Sequence, residues 1–447
     1  MNLRSYLADR DFQANETILS GDIGIPDDNS DNSYNVVRGA NNATLDGFTI
    51  TAGNADGSSW GHRNGAGMYN SSSSLTVTNC TFASNTADNR GGGMFNGAAN
   101  LTVTNSTFIG NSATFGGGIM NWYGSSTVTN SSFIDNSASW TGGGLYNFYS
   151  DATVTNCTFS GNSADYAGGL MNTENIQIVT GCTFSGNTAR YGGGLYNNRS
   201  NSTIVNCTFS ENLAVRHGGG MYNNNNSDLK ITNCTFAHNR VNEDGGGMYN
   251  VDVSGPVVTN CTFRANSAYR GGGLYNRDSV PIMANCILWA NTAELGPQIE
   301  NRASTLTLTY SCIQGGWSGE GNINVNPLLA SLADNGGPTL THAIAAHSPA
   351  YSIPEYAGAG NWNGAPDTDQ RGVDRATVGY RAMGAFEEEA SETYTLMVTA
   401  SGASEIEIAS TTYHGGITDY EMPFLRKGTE VRLDLEQANP VRFFAWL

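Results

Sequence analysis

Three groups of residues in this chain have the types and spacing that chemistry requires. The first is Arg216-His217, with Arg190 one repeat earlier. An imidazole beside guanidinium groups suits abstraction of a proton next to a carboxylate whose charge must be neutralised, as in a polysaccharide lyase. Asp244 (with Glu243) and Asp165 are the carboxylates a glycoside hydrolase would use. They lie several repeats apart, too far for a pair held at a defined separation. Trp60, His62 and Arg63 form the second group. A solvated loop explains surface His and Arg residues equally simply. In the third, Asp27, Asn29, Asp31 and Ser33 alternate as oxygen ligands do in a calcium loop. No Gly stands at the sharp turn and no acidic residue closes the loop, so an Asx-rich turn accounts for the same residues. Calcium is the one cofactor the sequence leaves open.

Aromatic residues make a second set. A column standing just before each Gly run varies from copy to copy: Asn64, Arg90, Phe115, Thr141 (with Trp140), Tyr166, Tyr191, His217, Asp244 and Arg270. A second column is nearly always aromatic or Met: Tyr69, Phe95, Met120, Tyr146, Met171, Tyr196, Tyr222, Tyr249 and Tyr275. Alternation points this second column outward, with Trp122, Tyr123, Phe148 and Tyr149 just beyond it. Exposed rings at Phe115, Trp140, Tyr166, Tyr191, Tyr146, Tyr196 and Trp122 would stack on sugar faces, and a bare Gly-lined strip would give a long polymer room. The alternative is that outward Tyr favours strands and stacks as a ladder.

What positions all of these is a repeat. Gly192-Gly193-Gly194-Leu195-Tyr196-Asn197, then Ile204-Val205-Asn206-Cys207-Thr208-Phe209 and Asn212, returns every 25–27 residues from about Gly65 to Ile313. A period of that size signals a solenoid. Short alternating runs such as Leu101-Thr102-Val103-Thr104 are strands, too short for helices. The expected fold is all-β, a right-handed parallel β-helix of three-strand coils with a small C-terminal β domain. Leu101, Val103, Phe108 and Met94 should point inward. Asn105 and its equivalents, replaced by Gly47 and Gly181, should occupy a left-handed bend and stack their amides. Three parts are expected: 1–314, the repeat; 315–388, a cap over the last open coil; and 389–447, a small β unit.

Composition narrows the partners. Charged residues make up 13 % of the 447, Gly numbers 56, and the net charge is −18. That charge argues against nucleic acid or an anionic membrane surface. No apolar run is long enough to span a bilayer, and no export signal follows Met1. Both ends read as cut. The eight cysteines fill one repeat position, which Ser106 and Ser131 take in two other copies. Stacked sister positions have parallel side chains about 4.8 Å apart, so a column of buried free thiols is expected rather than disulfides.

The Gly-Gly-Gly-[Met/Leu/Ile] and Phe-x-x-Asn segments resemble the repeats of bacterial polymorphic outer membrane proteins and related right-handed β-helix proteins of the pectin-lyase-like fold. Asp334-Asn335-Gly336-Gly337-Pro338, Asp369-Gln370-Arg371-Gly372 and Gly384-Ala385-Phe386-Glu387 are similar to the choice-of-anchor (type Q) segment that ends many bacterial surface β-helices. Tyr394 to Trp446 is similar to bacterial immunoglobulin-like or β-grasp surface repeats. These resemblances imply an extracellular or cell-surface, outer-membrane-associated protein. Its partner would be a polysaccharide, a cell-surface glycan, or a host or neighbouring surface protein. Non-catalytic adhesion is the first functional expectation; a lyase or hydrolase, and a passive stalk, are the alternatives.

Overall fold

Period-two burial makes the strands. In Leu101–Thr104, Leu101 and Val103 are buried while Thr102 is exposed and Thr104 half-buried. Each such strand pairs in parallel, in register, with its copies one coil away. Leu75, Leu101 and Ser126 align, as do Val77, Val103 and Val128. The computed structural model describes residues 11, 14–225, 229–252, 255–345, 348–351, 365–375 and 381–387, with the backbone of strands at 394–398, 407–408, 416–417 and 420–425. The coils wind into a parallel β-solenoid with three sheets. One sheet takes two strands from most coils, such as Met94–Gly97 and Leu101–Thr104, separated by a bend. Four short strands per coil therefore replace the expected three, although the three sheets remain.

Phe82, Phe108, Phe133, Phe159, Phe184, Phe209, Phe236 and Phe263 are fully buried on one axis. Successive rings are 4.6–5.1 Å apart and within 7° of parallel. That spacing is the strand spacing itself, so side-chain stacking and backbone pairing reinforce each other. Met94, Leu101 and Val103 join this core as expected. Asn79, Asn105, Asn130, Asn156, Asn206, Asn233, Asn260 and Asn285 all have φ between +48° and +56°, with Gly47 and Gly181 at +78° and +62°. The left-handed bend is thus where the sequence places it.

The stronger amide ladders lie elsewhere. Asn187, from a Phe-x-x-Asn segment, is fully buried. Its Nδ2 donates to Asn212 Oδ1 and to the Phe159 carbonyl, both at 2.9 Å. Its Oδ1 accepts from the Asn162 backbone N–H at 3.1 Å and from Asn162 Nδ2 at 2.9 Å. The Asn closing each Gly segment forms a second buried ladder, as in Asn223 to Asn250 and Asn250 to Asn276, both 2.8 Å. By contrast Asn105 reaches Asn79 only at 3.4 Å. The cysteine column also has a hydrogen-bonding role. The backbone N–H of Cys157 donates to Cys182 Sγ at 3.4 Å, and that of Cys80 to Ser106 Oγ at 3.2 Å. Thiol and hydroxyl interchange because either accepts this bond. Cys312 does not belong to this column: the Cys286 backbone N–H donates to Ser311 Oγ at 2.9 Å while Cys312 stands in register with Ile287, so Ser311 takes the last column position and seven cysteines, not eight, share it. All eight thiols are buried and unpaired with one another, and burial pushes those of Cys286 and Cys312 up to about 12.

The Gly triplets do not leave a bare strip. Gly91, Gly92 and Gly93 are buried. Gly91 has φ +64°, and a Cβ on Gly93 would sit 2.6 Å from the Gly118 carbonyl oxygen. Close coil-to-coil backbone approach, not an open surface, is what excludes side chains here.

The segment after Cys312 covers the last coil only at its start, where Ile313 N donates to Ile323 O and Ile323 N to Ser311 O, both at 2.9 Å. From Leu329 to Leu340 it runs back along the outside of the Phe-bearing sheet, and the described residues of 365–387 lie against successive coils in the opposite direction, from Asn233 to Asn285. Thr208 Oγ1 donates to Leu340 O at 2.6 Å, Thr235 Oγ1 to Gln370 Oε1 at 2.7 Å, and Gly384 N to Asn285 O at 2.7 Å. Arg375 is the latch: fully buried, it donates to Glu387 Oε2 (3.1 Å), Asn233 Oδ1 (3.0 Å) and the carbonyls of Ala382 (3.1 Å) and Gly384 (3.0 Å). Beyond this, strands 394–398 and 420–425 pair antiparallel, as do 407–408 and 416–417. Phe443 to Trp446 lie outside the described residues.

Candidate functional site

The nearly invariant aromatic column does leave the coil interior, but it is not exposed. Phe95, Met120, Tyr146, Met171, Tyr196, Tyr222, Tyr249 and Tyr275 form a second apolar cluster, each between 1 and 9 % exposed. Two flanking columns cover it. On one side stand the residues before the Gly runs, aligned by backbone bridges from Arg90 through Phe115, Thr141, Tyr166, Tyr191 and His217 to Asp244 and Arg270. On the other stand the residues after the closing Asn, among them Trp122, Phe148, Asn224 and Arg277. The result is a groove parallel to the solenoid axis. Tyr146 and Tyr196, expected as exposed stacking platforms, are its floor.

The groove deepens into a cleft of about 370 Å³ lined by Tyr166, Tyr191, Tyr196, His217, Tyr222, Asn224, Tyr249 and Arg277. Along one rim the rings form a rail. Trp140 is 51 % exposed and 5.5 Å from Tyr166. Tyr166 stacks on Tyr191 at 5.2 Å and 14°, and Tyr191 lies 5.6 Å from His217. Trp140 reaches the rail from one residue outside the column, because Thr141 holds the register position and is itself buried. Phe115 is half-buried against Tyr146, at 6.5 Å. Burial pushes the Tyr196 phenol up to about 12 and those of Tyr222 and Tyr249 higher still. These hydroxyls stay protonated at neutral pH and can donate to a ligand oxygen. Tyr196 Oη already accepts from Asn224 Nδ2 at 3.1 Å.

The charged candidates fall into place differently. His217 stacks on Tyr249 at 4.6 Å, with Nδ1 3.5 Å from Asp244 Oδ2 and Nε2 3.8 Å from Glu243 Oε2. Burial holds the imidazole below its ordinary pKa, although both carboxylates pull the other way. Asp244 is nearly inaccessible and is clamped by Arg270 through two bonds, Nε to Oδ1 at 2.6 Å and Nη2 to Oδ2 at 2.9 Å. A carboxylate tied up in this way is a structural partner. Arg216 faces Glu243 at 3.9 Å, and Arg190 lies over the Tyr191 ring at 5.4 Å. His217 and Asp244 are therefore brought together, while Arg190 belongs to the rail.

The other two groups disperse. His62 stacks on Tyr34 at 4.6 Å, Arg63 approaches Asp88 at 3.9 Å, and Trp60 crosses to the far wall of the groove. In the acidic loop Asp28 accepts from Ser30 N at 2.9 Å and from Ser30 Oγ at 2.7 Å. Asp31 Oδ2 accepts from Ile25 N at 2.8 Å, and the Asp27 backbone N donates to Asp22 Oδ2 at 3.3 Å. Asn29 Oδ1 accepts from Asn32 at 3.3 Å, and Ser33 Oγ donates to Asn35 O at 2.9 Å. Among the described residues no group of three or more His, Cys, Asp or Glu side chains is placed to hold a metal ion.

Sequence reasoning missed Asn224 and Arg277 as wall residues. A signal existed, since both directly follow a closing Asn and alternation puts that position on the outer face. Coils stacked in this way define the chain as a parallel β-helix protein. Residues 123–288 match the family model described as right handed beta helix region. No curated protein matches the chain.

Proposed function

We propose that this chain is a secreted or surface-displayed glycan-binding protein that holds a polysaccharide along its groove without altering it. The observation that carries this reading is the rail of Trp140, Tyr166 and Tyr191 beside a tyrosine-floored cleft. Ring faces carry negative charge density that attracts the C–H face of a sugar, and neutral phenol hydroxyls pair with its oxygens. Aromatics one coil apart, about 4.8 Å, suit a chain lying parallel to the axis. The extracellular or cell-surface location rests on the resemblance to surface β-helices. A host or neighbouring surface protein bearing such glycans is the corresponding macromolecular partner.

The test is a glycan array followed by titration of the strongest hit. Trp140→Ala and Tyr191→Ala should each weaken binding roughly tenfold, which is about 1.4 kcal/mol. Unchanged affinity in both variants would remove the rail from the mechanism, and no binding to any glycan would leave the solenoid as a passive stalk.

One observation supports a catalytic alternative, a lyase or hydrolase acting in the same groove. His217 is held neutral in the cleft that Arg277 also lines, as a proton-abstracting base beside a charge-neutralising group requires. Incubation with uronate polymers reads this out as new absorbance from unsaturated chain ends. Its loss in His217→Ala would replace the binding reading with the enzymatic one.

A further inference from the structure

We infer that the groove is blind at one end and reads the terminus of a glycan chain rather than an internal stretch. This rests on the glycan-binding reading above and adds to it which part of the polymer is recognised. A chain lying on the groove floor and moving toward the N-terminal coils meets a crossbar above Phe95. Trp60, from the loop between Asn54 and Asn64, stands edge-on to Phe95 at 6.3 Å and 82°. Its ring lies 5.0 Å from that of Trp122, on the opposite wall. Arg90, on the near wall, holds its Cζ 4.7 Å from each of these indole rings. Two aromatic faces on one guanidinium make a cohesive contact, stronger for being partly desolvated.

The crossbar joins the two walls over the floor. Phe95 and Met120 beneath it are 1 and 2 % exposed, as deeply covered as Tyr249 and Tyr275 at the far end, so what distinguishes this end is the ring-to-ring contact between the walls. At the far end side chains of both walls, His217 and Arg277, line the cleft around Tyr249, with no ring-to-ring contact between the walls among the described residues. His217 lies over Tyr249, and the Arg270 guanidinium is 5.4 Å from the Tyr275 ring. A polymer can rise out of the groove past those side chains, but it cannot pass between two indoles 5.0 Å apart with a guanidinium beside them. The chain must end at the crossbar.

Stoichiometry tests this. Cello-, xylo-, manno- and galacturono-oligosaccharides of about six residues, roughly the groove length at 4.8 Å per coil, are titrated beside their parent polymers by calorimetry. The expected result is one protein bound per chain for oligomer and polymer alike. Affinity per chain should be the same for both. Trp60→Ala removes half of the crossbar from a half-exposed loop side chain, and several proteins should then bind per polymer chain. Several wild-type proteins per polymer chain would overturn end recognition while leaving glycan binding intact. A Trp60→Ala variant that binds glycan but still stops at one per chain would also overturn it. No binding to any of the four series would instead strike the glycan reading itself, and the inference with it.

Discussion

Replacing Asn187 by Ala should cut a ladder rather than trim a side chain. The amide makes four hydrogen bonds between 2.9 and 3.1 Å, two given and two received. Asn212 Oδ1 keeps a partner, since the Asn187 backbone N–H still donates to it at 3.1 Å. The Asn162 backbone N–H and one of its Nδ2 protons lose theirs, in a fully buried site. Each buried donor left without a partner costs about 1–3 kcal/mol, so the variant should lose roughly 2–6 kcal/mol. A solenoid need not unfold in one step, so a single global midpoint is a poor readout. Amide hydrogen exchange reads the effect locally: protection at Asn162, Asn187 and Asn212 should fall together, and the coils near Phe82 should keep theirs. Asn105→Gly is the comparison. It gives up a 3.4 Å bond on an exposed bend and retains a residue suited to φ +48°, so it should stay close to wild type. If Asn187→Ala lost no more protection than Asn105→Gly, the buried ladder would not be what binds coil to coil.

Two further outcomes concern the returning C-terminal segment. Arg375→Ala removes the guanidinium that meets Glu387 Oε2 at 3.1 Å together with its bonds to Asn233 and to the carbonyls of Ala382 and Gly384. Breaking a buried pair by removing one partner costs about 3–5 kcal/mol, so the segment from Leu329 to Glu387 should become sensitive to limited proteolysis while the coils resist; an unchanged digestion pattern would remove the latch role. His342 supplies a pH dependence. Burial pulls its pKa from 6.5 down to about 4, with Nδ1 between the Ala330 carbonyl at 2.9 Å and Arg264 Nη1 at 3.1 Å. The folded state holds this proton less tightly than the unfolded chain, so its stability is full above pH 6.5 and falls as pH drops toward 4, by roughly 3 kcal/mol in all. Proteolysis of the same segment should accelerate across that window, and the acceleration should be absent in His342→Gln; a flat profile in the native protein would refute the assignment.

Period, alternation and the chemistry of single residues were enough to determine the solenoid. A 25–27-residue repeat made of Leu-x-Val strands points to a solenoid of stacked short strands. Asn at a fixed position, with Gly in two copies, demands a left-handed bend; all ten of those residues have positive φ, as does Tyr310, which takes the position in the last coil. The Phe, Met and Cys columns were legible as core because identical residues one coil apart must stack. Alternation also said which aromatics leave the coil. It could not say what they meet outside, because burial there depends on neighbours from other columns. Only the tertiary structure turned Tyr146 and Tyr196 from exposed platforms into a floor, and it did so by setting Tyr166, Tyr191 and His217 on one side and Phe148, Asn224 and Arg277 on the other. The Gly triplets looked like open surface for the same reason, until the next coil's carbonyls closed over them. Trp60 is the plainest case. It comes from an irregular loop with no period to place it, and it reaches across the groove to Trp122, 62 residues away in sequence, at a ring distance of 5.0 Å. A repeat fixes which residues share a column. How columns and loops close over one another is a long-range packing outcome, and no local pattern carries it.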